Sequence, residues 1–129
     1  IHAQVHFDFA QEYLTDIPLL LRKDYHPHIS YTKGDCYVLM GCMRFFNEDP
    51  IQLEAGFIGL RKTDFNIQLM EEWAKWLNVD KAVNNDPSEY PNHPSFIDHR
   101  HDQSILTNLA LMHDLPMVPI HGIDCNKRP

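Results

Sequence analysis

The segment FIDHRHDQSIL, residues 96–106, concentrates ionisable and amide side chains just ahead of an apolar run. It contains two histidines, two aspartates, one arginine and one glutamine. Side chains of these types can cap a helix, ligate a metal ion or bind a polar ligand. Which of these tasks the segment performs decides whether the chain is an enzyme.

Capping is the simplest interpretation of the segment. Apolar residues recur at helical spacing from Ile105 to Met112, so a helix is predicted to begin nearby. Asp98 or Asp102 would be its N-cap, where an acid interacts favourably with the helix dipole and contributes roughly 1 kcal/mol. One helix end needs one cap, so capping leaves the remaining polar residues of the segment unexplained.

His99 and His101 are the candidate metal ligands of the segment. Specific zinc motifs place histidines three to five residues apart on a helix or combine them with cysteines, and neither pattern occurs here. A phosphohydrolase of the His-Asp type would need further histidine and aspartate ligands on other helices. The spacing therefore does not indicate a zinc site or a phosphohydrolase.

Binding of a polar ligand accounts for more of the segment. A carboxylate at Asp102 stays ionised at a helix N-terminus, and the amide of Gln103 both donates and accepts hydrogen bonds, as sugar hydroxyls require. Arg100 can pair with a phosphate through its planar guanidinium group. A sugar together with a phosphate indicates a sugar nucleotide.

Composition limits the class of protein and its partners. The 129 residues are 43% hydrophobic, which suits a single domain over residues 1–129 with one core. A net charge of −7 and a pI near 5.6 argue against nucleic acid as a partner. We expect no membrane span, and three cysteines without a CxxC pair favour a reducing, cytoplasmic location. The chain has no initiator methionine, so we expect a mature, trimmed or excised piece.

The elements around the segment predict an α/β fold, with helices packed on a mixed sheet. They are, in chain order, a strand over 16–23, a short element over 36–40, a strand over 51–63, a helix over 63–78, a long loop over 78–95, a helix over 102–114 and a strand over 115–122. Thr63 or Asp64 is the expected cap of the first helix. Trp73 and Trp76 fall on its apolar face, which predicts core packing for both.

Two further polar features carry expectations of their own. His26 and His28 flank a proline in a predicted loop, and we expect both side chains to be solvated. Asp35 follows a glycine at a predicted turn, where an aspartate commonly bonds to nearby backbone.

Four segments occur in a recognisable order along the chain. They are YTKGD at 31–35, EAGFIGLRKT at 54–63, MEEWAKW at 70–76 and FIDHRHDQSILTNLA at 96–110. Their combination resembles bacterial and viral glycosyltransferase-like proteins of the GT-A fold, in which WTKGD, G-x-x-x-x-R-K-T and HRxDQSI motifs occur in that order. HRHDQSIL is the specific part of the resemblance. A more distant similarity, at Ala55-Gly56, Asp102-Gln103 and His121-Gly122, is to glycogenin-like and lipooligosaccharide galactosyltransferases.

The resemblance implies a metal-dependent glycosyltransferase of polysaccharide biosynthesis, which moves a sugar from a nucleotide-sugar donor to a glycan or other hydroxyl acceptor. It implies catalytic roles for Glu54, Asp102 and Gln103, and it makes His121 the ligand of a divalent metal, Mn²⁺ or Mg²⁺. Such a cation stabilises the charge that develops on a departing nucleoside diphosphate. Contacts with the donor are implied for Ala55, Gly56, Arg100 and Lys127.

Enzymes of that fold begin with a nucleotide-binding half that ends in a D-x-D metal motif. No two aspartates of this chain stand at i and i+2, and His6-Phe7-Asp8 is the nearest substitute. We therefore expect the chain to be the C-terminal, acceptor-side part of such a domain, with an N-terminal half missing. The alternative is a non-catalytic sugar- or protein-binding module, or a fragment, on the same scaffold.

Overall fold

The computed structural model describes residues 18–48 and 50–119, and within these ranges the chain is a mixed α/β structure of two strands and four helices. Short 3-10 turns occur at His28–Ser30 and Met43–Phe45. The strands and helices are β1 (Leu19–Pro27), α1 (Gly34–Leu39), β2 (Ile51–Leu60), α2 (Asp64–Leu77), α3 (Asp80–Val83) and α4 (His101–Met112).

The sheet is smaller than the sequence predicts. Strands β1 and β2 pair antiparallel, with Leu20 opposite Gly59. On the other edge of β1, Arg22 forms a single parallel bridge with Val118, supported by backbone hydrogen bonds of 2.7 and 2.8 Å. Within the described residues the predicted strand over 115–122 is therefore reduced to this bridge. The sequence predicts a mixed sheet. The described residues form an antiparallel pair of strands with one parallel bridge at its edge.

The core lies between this sheet and helix α4. Leu20 and Leu53 of the strands and Ile105 and Leu109 of the helix are each at most 1% exposed. Full burial of one such side chain stabilises the folded chain by about 1.5–3 kcal/mol, so contact between β2 and α4 is a main source of stability. This packing holds the polar N-terminal turn of α4 beside the strands.

Helix α2 begins where its cap was predicted. Thr63 is in an extended conformation, and its hydroxyl oxygen accepts a hydrogen bond from the Asn66 N–H at 3.1 Å, which is the bond of an N-cap. The Asn66 amide donates to the Pro18 carbonyl at 2.9 Å and ties the helix to the start of β1. Trp73 and Trp76 are partly buried against the core, which confirms their predicted packing.

Helix α4 begins differently from the prediction. Arg100 occupies the N-cap position. The carboxylate of Asp98 accepts a hydrogen bond from the next residue's N–H at 2.9 Å, and that of Asp102 does the same with Gln103. The prediction that Asp98 or Asp102 caps the helix was wrong. Asp102 still lies in the first turn, where the helix dipole favours a negative charge.

Among the described helices, none combines the length and the apolar character that crossing a bilayer requires.

Candidate functional site

Gln103, in the first turn of α4, joins both strands to this helix. Its side-chain Nε2 donates to Asp24 Oδ2 in β1 at 2.8 Å and to Gln52 Oε1 in β2 at 2.7 Å. Its Oε1 accepts from the backbone N–H of Ala55 at 3.4 Å. Gln103 and Ala55, both implied as site residues, are therefore in contact although 48 residues separate them.

Glu54 is held by an ion pair with Arg22 of β1. Arg22 Nε donates to Glu54 Oε2 at 2.9 Å, and Nη2 donates to the same oxygen. Arg22 is 8% exposed, and its guanidinium lies 5.0 Å from the centre of the Phe57 ring. The ion pair with a buried cation therefore fixes the position of the Glu54 carboxylate.

The surface at the start of α4 is open. Gly56 is exposed, and the nearest described atom to a Cβ built on it is Glu54 Oε1, 4.0 Å away. Asp102 and Arg100 are also exposed, and the Arg100 guanidinium lies 5.0 Å from the centre of the Tyr31 ring. A ligand from solvent can therefore reach a carboxylate and a cation at this end of the helix.

Asp24 and His26 belong to the same site, although sequence reasoning did not select them. His26 lies in β1 rather than in a loop, so the prediction that it is a solvated loop residue was wrong. Its ring Nδ1 lies 2.8 Å from Asp24 Oδ2, the oxygen that also accepts from Gln103. Residues two apart on a strand project to the same face, and this spacing was the available signal for the pair.

His28 is fully buried, which contradicts the expectation that it is solvated. Its Nε2 lies 2.8 Å from Asn108 Oδ1, and its Nδ1 lies 3.0 Å from Thr32 Oγ1. Burial lowers the pKa of His28 to about 4, so the ring is neutral at physiological pH. Nε2–H then donates to Asn108, and Nδ1 accepts from Thr32. His28 is therefore a structural link between the end of β1 and α4.

His99 and His101 are both bonded to the backbone of α3. His99 is 2% exposed, its Nδ1 accepts from the Lys33 N–H at 3.2 Å, and its Nε2 donates to the Ala82 carbonyl at 2.8 Å. Burial lowers the pKa of His99 to about 4. His101 Nδ1 donates to the Val83 carbonyl at 2.6 Å. These bonds make both histidines structural supports for α3.

The TKGD segment, residues 32–35, holds the long loop against helix α1. Asp35 Oδ1 accepts from the backbone N–H groups of Glu89 and Tyr90, each at 2.9 Å. Lys33 Nζ donates to Asn84 Oδ1 at 2.7 Å. The expectation of local bonds at Asp35 was wrong, because its partners lie 54 and 55 residues further along the chain. We call this contact of 32–35 with 84–92 the loop anchor.

Charge and close packing both contribute to the loop anchor. Burial alone would raise the pKa of Asp35, but the N–H donors of Tyr90 and Glu89 outweigh it and hold the pKa below its usual value. Gly34 donates its N–H to Asn92 Oδ1 at 2.7 Å. A Cβ on Gly34 would lie 2.5 Å from the Tyr90 carbonyl oxygen, so glycine is required for this approach.

A divalent cation is not accommodated by the described side chains alone. Residues 18–48 and 50–119 contain no group of three or more His, Cys, Asp or Glu side chains that could hold a metal ion. Glu54 is paired with Arg22, and Asp24 with His26. His121, the implied metal ligand, and Lys127, the implied diphosphate contact, lie outside the described residues.

Comparisons with protein-family models, with curated proteins and with solved structures found no match. Fold and site together define a mixed α/β chain with a polar site formed by β1, β2 and the first turn of α4.

Proposed function

We propose that the chain is the acceptor-side part of a glycosyltransferase, which moves a sugar from a nucleotide-sugar donor to a glycan or other hydroxyl acceptor. The observation that carries the proposal is the set of hydrogen bonds made by Gln103. They bring the EAG segment at 54–56 against the DQ start of α4, and the resemblance to the GT-A fold assigns both segments to the sugar site. Local sequence does not require these segments to meet.

The exposed residues of the site suit the two parts of a sugar nucleotide. Asp102 offers a carboxylate to sugar hydroxyls, and the open surface at Gly56 leaves room for a sugar ring. Arg100 offers a cation for the diphosphate, on which negative charge increases as the bond to the sugar breaks. A carboxylate and a cation, both exposed at the same end of α4, thus match the hydroxyls and the diphosphate of the donor.

Two further elements of the proposal lie beyond the described residues, one in this chain and one in addition to it. A divalent cation, Mn²⁺ or Mg²⁺, would stabilise the departing diphosphate, and its proposed ligand is His121. A nucleotide-binding half, in addition to this chain, would complete a GT-A domain and hold the base and ribose, whereas the contacts proposed for the sugar and the diphosphate lie on this chain. The described residues would then correspond to the C-terminal half of that domain.

A thermal-shift titration of the full chain tests the proposal. UDP, GDP, UDP-glucose and GDP-mannose are added with and without Mn²⁺, and saturation to 100 times Kd stabilises a folded protein by about 2.7 kcal/mol. We expect a Mn²⁺-dependent rise in Tm that Asp102→Asn weakens. Asp64→Asn is the matched control, because Asp64 is an exposed acid in the first turn of α2. A Tm that no nucleotide changes would contradict the proposal.

A non-catalytic sugar- or protein-binding module is the second candidate. It is favoured by the internal bonds of the site, because Glu54 is bound by Arg22, and Gln103 by Asp24 and Gln52. Such bonds give a rigid scaffold for recognition without a reacting group. A Tm raised by a free glycan, and unchanged by nucleotides and Mn²⁺, would support this candidate over the transferase.

A further inference from the structure

His26 presents one ring nitrogen in a form that can accept a proton. Its Nδ1 lies 2.8 Å from Asp24 Oδ2, and its backbone N–H donates to Asp24 Oδ1 at 2.7 Å. In the neutral ring the carboxylate therefore holds the proton on Nδ1 and leaves the lone pair on Nε2. Within residues 18–48 and 50–119, no group hydrogen bonds to Nε2, and the side chain is 27% exposed.

Asp24 is itself held in position by the proposed sugar site. Its side chain is 10% exposed and accepts from Gln103 Nε2 at 2.8 Å. The same Nε2 donates to Gln52 Oε1 at 2.7 Å. A base oriented by a carboxylate, which is oriented in turn by other groups, is the arrangement that recurs in hydrolases and transferases that activate a hydroxyl. The arrangement connects His26 to Gln103 through Asp24 Oδ2.

Two aromatic rings lie beside the imidazole ring of His26. The Tyr25 ring, on a residue 73% exposed, has its centre 5.2 Å from that of His26, and the Tyr31 ring meets His26 edge-on at 4.8 Å. Arg100 lies over Tyr31. Asp24, Tyr25 and Tyr31 are titratable groups in contact with His26, and the charged Arg100 contacts Tyr31. Exposed aromatic faces suit the apolar face of a sugar ring while its hydroxyls point to polar groups.

The carboxylates of the site are positioned differently from His26. Glu54 is paired with buried Arg22. Asp98 and Asp102 are exposed and each accepts a hydrogen bond from the following residue's N–H. His26 differs from them because a largely buried carboxylate fixes the orientation of its ring and because its Nε2 has no hydrogen-bond partner among the described residues.

We propose that His26 is the general base that deprotonates the acceptor hydroxyl, with Asp24 as its positioning residue. The inference rests on the proposed transferase function. The hydroxyl proton moves to His26 Nε2 while the oxygen bonds to the anomeric carbon of the nucleotide sugar. The bond from that carbon to the diphosphate oxygen breaks, and its electron pair leaves with the nucleoside diphosphate. The imidazolium then returns its proton to water, and this single displacement inverts the anomeric configuration.

The first test measures UDP release from UDP-glucose by the full chain, with Mn²⁺ and methyl β-glucoside as acceptor. We expect His26→Ala to lower kcat about 100-fold, to leave the donor-induced Tm shift unchanged, and to be partly restored by added imidazole. His113→Ala is the matched control, because His113 Nε2 lies 2.8 Å from Glu72 Oε1 far along α4. It should keep the wild-type rate.

Each result distinguishes the inference from the proposed function. Three outcomes would overturn the role of His26 and leave the donor site in place. They are a donor-induced Tm shift with kcat unchanged in His26→Ala, a product of retained configuration, and donor binding without UDP release. Absence of any donor-induced Tm shift overturns both proposals together.

A second test separates positioning from packing. Nitrogen-15 NMR of the imidazole should show the Nδ1–H form of His26 in the wild type and its loss in Asp24→Asn. Asp24→Asn should lower kcat about 10-fold or more with the donor KM little changed, and Asp24→Glu should restore part of kcat. An Nε2–H ring in the wild type would overturn the inference.

Discussion

The loop anchor and the polar site use the same residue types with different results. In the loop anchor, Thr32, Lys33 and Asp35 are at most 2% exposed, and the charged groups of Lys33 and Asp35 are bound to the loop. In the site, Asp102 is exposed, and Nε2 of the partly exposed His26 has no hydrogen-bond partner among the described residues. A buried polar side chain whose hydrogen bonds are all made to the protein indicates a structural role. A polar atom that is held in one orientation but left unbonded indicates a chemical role.

The difference changes the meaning of the two motifs. TKGD and HRHDQSIL both contribute to the glycosyltransferase resemblance, but the contacts of TKGD are explained by the need to hold a long loop. His99 and His101 of the second motif support the same region through α3. Within the proposed function, a chemical role in HRHDQSIL therefore remains only for Arg100, Asp102 and Gln103.

Acidification should produce the largest effect, and it tests whether both regions depend on a neutral buried histidine. His28 supports the site and His99 the loop anchor, and burial lowers the pKa of each to about 4. The unfolded chain binds more protons between pH 6.5 and 4, so the free energy of unfolding is highest above pH 6.5. It falls as the pH approaches 4, by roughly 3 kcal/mol for each histidine.

Urea unfolding at pH 7.5, 5.5 and 4.5 measures this dependence. His28→Gln and His99→Gln should each remove about half of it, and His93→Gln, at a partly exposed position, should leave it unchanged. Equal stability at the three pH values would contradict the assignment of both histidines as neutral buried groups.

Replacing one aspartate in each region compares them directly. Asp35→Ala leaves the N–H groups of Glu89 and Tyr90 without their acceptor and should lower the free energy of unfolding by about 3 kcal/mol. Asp102→Ala removes an exposed charge near a helix N-terminus and should cost under about 1 kcal/mol. Chemical denaturation of both variants at pH 7.5 measures the difference. Similar losses would remove the distinction between the two regions.

Adding one methyl group to each region should give a smaller difference. Gly34→Ala forces the Tyr90 and Pro91 carbonyls away and should destabilise the fold by about 2 kcal/mol. The methyl group added by Gly56→Ala points into open space, so this substitution should change the free energy of unfolding by less than about 0.5 kcal/mol. Thermal unfolding compares the two variants, and limited proteolysis should show earlier cleavage within 84–92 in Gly34→Ala alone. A stable Gly34→Ala would mean that the loop moves aside without cost.

Prediction from the sequence succeeded where short-range rules apply. The cap at Thr63, the apolar face with Trp73 and Trp76, and the strand that became β2 follow from spacing and from side-chain chemistry within one element. The start of α4 was misjudged because Asp98 and Asp102 bond to adjacent backbone, which competes with capping.

The sequence by itself determined the cap of α2 at Thr63, the core packing of Trp73 and Trp76 and the polar character of the α4 start, because these depend on neighbours within a few residues. Tertiary structure alone decided which polar groups meet. Asp24 reaches Gln103 across 79 residues, Asp35 reaches Tyr90 across 55, and His28 reaches Asn108 across 80. Hydrogen bonds form between atoms about 3 Å apart in space. Spacing along the sequence does not predict bonds between residues this far apart in the chain, because packing of the core brings them together.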